Sequence, residues 1–94
     1  MAVIVKFLGA LRHVSGAGEL ALDIKGDISI KELMNEIVRE MSALKRSLID
    51  QQRENLRSNA LILVNGREIS VLNGLETNLK DGDEIVFVPV VHGG

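Results

Sequence analysis

The segment Lys80-Asp81-Gly82-Asp83-Glu84-Ile85-Val86-Phe87-Val88-Pro89-Val90-Val91-His92-Gly93-Gly94 contains, in succession, a turn, a strand and an open end. Asp81-Gly82-Asp83 favours a chain reversal, because glycine reaches positive φ without strain and aspartate side chains bond nearby amides. Glu84 to Val88 is dense in β-branched and aromatic residues and lacks helical spacing, which predicts a strand. Alternation sets Ile85 and Phe87 on one face and Val86 and Val88 on the other, so both faces are apolar. Proline has no amide hydrogen to donate to a ladder, so the sheet is expected to stop near Pro89. The chain then divides into a domain over residues 1–89 and a flexible tail over 90–94. The tail ends in two residues without side chains, a shape that can thread a narrow cleft and present a terminal carboxylate to another protein's active site. Gly94 is the candidate reactive residue and Gly93 the candidate threading residue, with Pro89, Val90, Val91 and His92 as candidate partner contacts. The competing reading is a frayed end without function.

Working outward, Val3-Ile4-Val5-Lys6-Phe7-Leu8 is a second strand of the same kind, with Val3, Val5 and Phe7 on one face and Ile4 and Leu8 on the other. Glu19 to Ile24 alternates polar and apolar, and Ser15-Gly16-Ala17-Gly18 supplies the freedom a reversal needs, so the two segments are expected to form a hairpin burying Leu20, Leu22 and Ile24. Ser29 and Glu32 make a capping box, in which each side chain satisfies an orphan amide at a helix start. Leu33, Ile37, Met41 and Leu44, flanked by Met34 and Val38, then form one helical stripe. Residues 45–58 are polar with isolated apolar positions and leave a helix extension, a second helix or an irregular excursion open. Leu61-Ile62-Leu63-Val64 closes on Asn65-Gly66, a dipeptide suited to a two-residue hairpin turn, with Arg67-Glu68-Ile69 as the return strand.

The order strand, strand, helix, strand, short strand, strand, with one main helix, predicts an α+β domain of the β-grasp type, a mixed sheet with the helix on one face. A ferredoxin-like split unit ranks second, because residues 67–83 are too broken by turns to supply its second helix. One helix covers one face only. Ile4, Leu8, Val86 and Val88, with two of the residues Leu61 to Val64, are therefore expected to form an exposed patch for a partner, unless residues 45–58 fold over it.

Ninety-four residues make one domain. Apolar residues are 46% and charged residues 26%, which is folded, not disordered, composition. A net charge of −2 offers no positive field for nucleic acid or anionic lipid. The absence of cysteine excludes disulfides, a thiol nucleophile and thiolate metal sites. No apolar run approaches membrane-spanning length and the first residues lack a basic leader, so no membrane is implied and a cytoplasmic location is expected. His13 and His92, without cysteine, make a poor metal set, and no metal is expected. Ser15 lacks an elbow motif, and Gly16-Ala17-Gly18 lacks the strand-to-helix context of a nucleotide loop. Lys45, Arg46, Arg53 and Arg57 alternate with Asp50 and Glu54, the pattern of a solvated face.

Taken together, Val5-Lys6-Phe7-Leu8-Gly9-Ala10-Leu11-Arg12, the helix opening at Ser29, Val64-Asn65-Gly66, Leu79 to Ile85 and the terminal Gly93-Gly94 resemble the ubiquitin-like sulfur carriers, in particular the small subunit of molybdopterin synthase. The resemblance implies a carrier, not an enzyme. Gly94 would be adenylated by a ubiquitin-activating-type enzyme using ATP and magnesium, with no cofactor held permanently by the carrier, and then converted to a thiocarboxylate. The tail would next enter the synthase large subunit, delivering sulfur to a pterin precursor of the molybdenum or tungsten cofactor. The chain departs from that pattern in having a single Pro89 followed by Val90-Val91-His92, and a longer connection over residues 42–59. The thiamine sulfur carrier resembles it less, being shorter. A protein modifier joined through Gly94 to target lysines shares every step up to the adenylate, and a β-grasp binding module with an inert tail is a third reading.

Overall fold

The computed structural model describes residues 1–42 and 60–89. In chain order these form β1 (Ala2–Phe7), α1 (Ala10–Ser15), β2 (Glu19–Asp23), β3 (Ile28–Ser29), α2 (Ile30–Glu40), β4 (Ala60–Val64), β5 (Arg67–Glu68), β6 (Asn78–Leu79) and β7 (Glu84–Pro89), with single 3-10 turns over Ile69–Val71 and Gly74–Glu76. Five strands make a mixed sheet in the order β2-β1-β7-β4-β5. The first and last strands are neighbours and parallel, Val5 facing Ile85 and Phe7 facing Phe87. Antiparallel partners flank them, β2 on β1 and β4 on β7. One main helix packs across one face, which is the expected β-grasp roll.

That helix starts where its sequence requires. Ser29 is the N-cap, its hydroxyl accepts from the Glu32 amide at 3.2 Å, and the Glu32 carboxylate takes the Ser29 amide at 3.1 Å. Ile30, Leu33, Met34 and Ile37 are buried against Val3, Val5, Phe7, Ile62, Ile85 and Phe87 from the sheet. Burial of this apolar surface is the dominant stabilising term of so small a domain. Phe7 and Phe87 stack with ring centroids 5.7 Å apart, tying the parallel pair together where β1 ends.

Three local readings need correction. The β1–β2 connection is not a bare turn: Ala10–Ser15 forms a helix that ends on left-handed Gly16 and buries Leu11. Ile69 does not extend the return strand but opens a 3-10 turn. A second, two-stranded sheet pairs β3 with β6, a ladder too short to leave a periodic signal. The Asn65-Gly66 hairpin is as expected, with φ of 51° and 83°, the positive pair that turn requires. Leu44 and residues 45–58 lie outside the described residues.

Candidate functional site

The sheet face opposite α2 carries the exposed apolar surface. Pairing register places Val86 between Lys6 of β1 and Leu63 of β4, and sets Leu61 beside Val88. Ile4, Leu8 and Leu61 are exposed at 38%, 46% and 38%, large values for aliphatic side chains in or beside strands. Val86, Val88 and Leu63 are half-buried among them. The two residues left unspecified within Leu61 to Val64 are thus Leu61 and Leu63, since Ile62 and Val64 belong to the core.

Lys6 lies within this face. Its Nζ is 2.9 Å from Glu84 and 3.9 Å from Glu19. The hydrogen bond that Lys6 donates to the Glu84 carboxylate, and the charge of that carboxylate, raise the Lys6 pKa, with a smaller push from Glu19. Alternation already put Lys6 on the same face as Ile4 and Leu8; the Glu84 partner, on the adjacent strand β7 and far in sequence, required the sheet pairing.

One end of this face is also where the described chain stops. Because β1 and β7 run parallel, Leu8, Val88 and Pro89 come to the same end, where the antiparallel β4 contributes Leu61 and Ala60, the latter opposite Pro89. The Leu8 amide donates to the Phe87 carbonyl at 3.1 Å, so pairing continues past β1. Gly9 follows at φ 56° and ψ −135°, a conformation reserved for glycine. A β-carbon there would stand 2.9 Å from Cγ of Pro89. Gly9 therefore lets the chain turn closely against the ring from which residues 90–94 depart, a role its sequence neighbours did not reveal. Val90, Val91, His92, Gly93 and Gly94 lie outside the described residues. His13 is exposed, and among the described residues no group of three or more His, Cys, Asp or Glu is arranged to hold a metal ion. Nor is any described helix long and apolar enough to cross a membrane.

This β-grasp fold is that of the ubiquitin-like proteins of the carrier and modifier class. The sequence model of the ThiS family matches residues 5–94, and the chain belongs to that family of ubiquitin-like sulfur carriers. It is 28% identical over 90 residues to small archaeal modifier protein 3 of Haloferax volcanii, covering 96% of each chain. The solution structure of small archaeal modifier protein 1 from Methanosarcina acetivorans is similar at 35% identity and a TM-score of 0.84, over 99% of this chain and 96% of that one. A chain from the complex of subunits 1 and 2 of the molybdopterin-converting factor of Helicobacter pylori matches at 28% identity and a TM-score of 0.62, over 100% of both.

Proposed function

We propose that the chain carries sulfur on its C-terminal carboxylate, most naturally to the pterin precursor of the molybdenum or tungsten cofactor. The observation that carries the reading is the side-chain-free Gly93-Gly94, four and five residues beyond the central strand β7 in the sequence. A carboxylate is a poor electrophile. A ubiquitin-activating-type enzyme would join it to the α-phosphate of ATP, with magnesium, releasing pyrophosphate and installing AMP as leaving group. Sulfide then attacks the acyl carbon, AMP departs, and a thiocarboxylate remains on Gly94. Neither step draws on a thiol of this chain, which has none.

Ile4, Leu8, Val86 and Val88, with Pro89 and the residues after it, form the docking surface for the activating enzyme and for the synthase large subunit. Support comes from the exposure of the aliphatic side chains and from the resemblance to a chain of the Helicobacter pylori complex. Fully extended, residues 90–94 reach at most about 18 Å beyond Pro89, so partner and reacting carbon must lie close together. A second reading is favoured by the likeness to archaeal modifier proteins: a target lysine amine, instead of sulfide, displaces AMP and leaves an isopeptide bond.

The test is intact-mass spectrometry after incubation with a cognate activating enzyme, ATP, magnesium and sulfide. A gain equal to the difference between sulfur and oxygen is expected, and is absent when Gly94 is deleted. An unchanged mass beside a converted control carrier overturns the sulfur reading; lysine adducts in its place establish the modifier reading.

A further inference from the structure

Just before β2 stands a glycine whose missing side chain the backbone does not explain. Gly18 has no positive φ, so its conformation is open to ordinary residues. A β-carbon at Gly18 would instead stand 3.0 Å from Nε of Arg12 and 3.2 Å from its Cζ. The Arg12 guanidinium therefore occupies the space that a side chain at Gly18 would fill. Arg12 and His13 belong to the last turn of α1. A cation there complements the negative end of the helix dipole, which accounts for the charge but not for the glycine.

Among the described residues no carboxylate pairs with Arg12, and Glu19, next to Gly18 in sequence, reaches Lys6 instead. Arg12, His13, Gly16, Ala17 and Gly18 line an open cleft of about 320 Å³ with no acidic group in its wall. A guanidinium stays charged throughout the working pH range and offers a planar fork of donors that matches an oxyanion. The cleft also lies near the root of the tail. Phe7 donates its amide to the Gly18 carbonyl on one side and faces Phe87 on the other, so Gly18 is two strand spacings, about 10 Å, from β7. A standard interface covers about 800 Å² of each partner, a patch roughly 30 Å across. A body that encloses the tail beyond Pro89 has the breadth to reach this cleft.

We propose that the Arg12–Gly18 cleft seats a carboxylate side chain of the protein that takes up the tail, with the Arg12 guanidinium as its donor and Gly18 leaving the room that holds the guanidinium in place. The identity of this partner rests on the carrier or modifier reading; the anion site stands on Arg12 and Gly18 alone. A single permanent cation matches the single charge of a carboxylate better than the nearly double charge of a phosphate. The ion pair would add a second point of attachment beside the apolar face, and two separated points fix the rotation of the domain on its partner where an apolar face alone leaves it loose.

The test is an NMR titration of the whole, isotope-labelled chain with a capped hexapeptide of alternating glutamate and glycine, beside a lysine–glycine peptide and inorganic phosphate. Shift changes should centre on the Arg12 side-chain Nε–H and the amides of Gly16 to Gly18, saturate, and shrink as salt rises. Arg12→Gln should abolish them. Gly18→Val leaves the net charge unchanged and should weaken binding by about threefold or more, because the guanidinium loses its place. Should that variant fail to fold, Arg12→Lys, which keeps the charge but not the fork, should weaken binding to a similar degree. Equal changes around Lys25, Lys31 and Lys80 would show general attraction to cations and overturn the site. Tighter binding of phosphate than of the glutamate peptide would make it a small-anion site and overturn the proposed occupant. With a purified activating enzyme, Arg12→Gln should weaken the complex about tenfold, and affinity equal to that of the parent would overturn the docking role. The carrier reading fails separately, on an unchanged parent mass, whereas the site fails on the peptide.

Discussion

Gly9 and Asn65 show how single residues hold the two ends of β7. Asn65 sits at φ 51° in the β4–β5 turn; its Oδ1 accepts from the Glu84 amide at 3.0 Å and its Nδ2 donates to Asp83 at 2.9 Å. The turn is thereby pinned to the start of β7. At the other end, Gly9 allows contact with Pro89. Alanine at Gly9 should cost roughly 1–3 kcal/mol through positive-φ strain and the 2.9 Å approach to the ring. The two causes separate in a double-mutant cycle read by urea denaturation: Gly9→Ala with Pro89→Ala should recover the steric part and leave the backbone part. Strict additivity would show that the ring contact is immaterial. Lys6 adds a pH dependence with a definite sign. A lysine whose pKa is raised by folding stabilises fully below its ordinary value of 10.5 and loses that contribution as pH climbs through the raised value. NMR titration of its side-chain methylene should therefore show a lower midpoint in Glu84→Gln than in the parent, and equal midpoints would mean that the 2.9 Å pair does not persist in solution.

At the level of elements, the strand phases decide what is core and what is surface, and these were largely readable. Val3, Val5, Phe7, Ile85 and Phe87 are buried at 1% exposure or less, as alternation required, and Ile4 and Leu8 are open. The main helix was equally plain, because a reciprocal cap and a regular stripe are both local signals. What escaped reading is what depends on tertiary contact. Ala10–Ser15 is only six residues long, too short to show a period, and the β3–β6 ladder joins two pairs of residues about fifty positions apart. The end of the site at Gly9 was hidden for the same reason, since its demand for glycine arises from Pro89 across the sheet. A charge on the outer face tests the division directly. Val88→Asp points away from the core and should change the melting temperature by no more than a few degrees, while weakening binding to an activating enzyme or large subunit at least about tenfold, because the carboxylate must be desolvated on docking. Loss of folding instead would move Val88 into the core and remove the proposed face.

Across the molecule, the compact body and the five residues after β7 are proposed to divide the work, the body supplying recognition and the terminus supplying the reacting atom. Such a division makes a demand that stability measurements cannot detect. A channel that admits only backbone has its walls within contact distance of the chain, so an added side chain must displace wall atoms packed at interior density. Residues at the very end of a chain, in contrast, generally contribute little to folding. Gly93→Leu should accordingly keep the parent's melting temperature within about a degree or two and yet lose thiocarboxylate formation, sulfur delivery or conjugation, whichever the parent performs. His92→Ala should be milder, because the parent already carries a side chain there and the partner must accommodate it. The comparison is best made in single-turnover assays with purified partners, in which binding through the sheet face can be saturated and the step at the tail read alone. Equal rates for parent and Gly93→Leu would mean that nothing encloses the tail, and the domain would then act through its surfaces and not through its end.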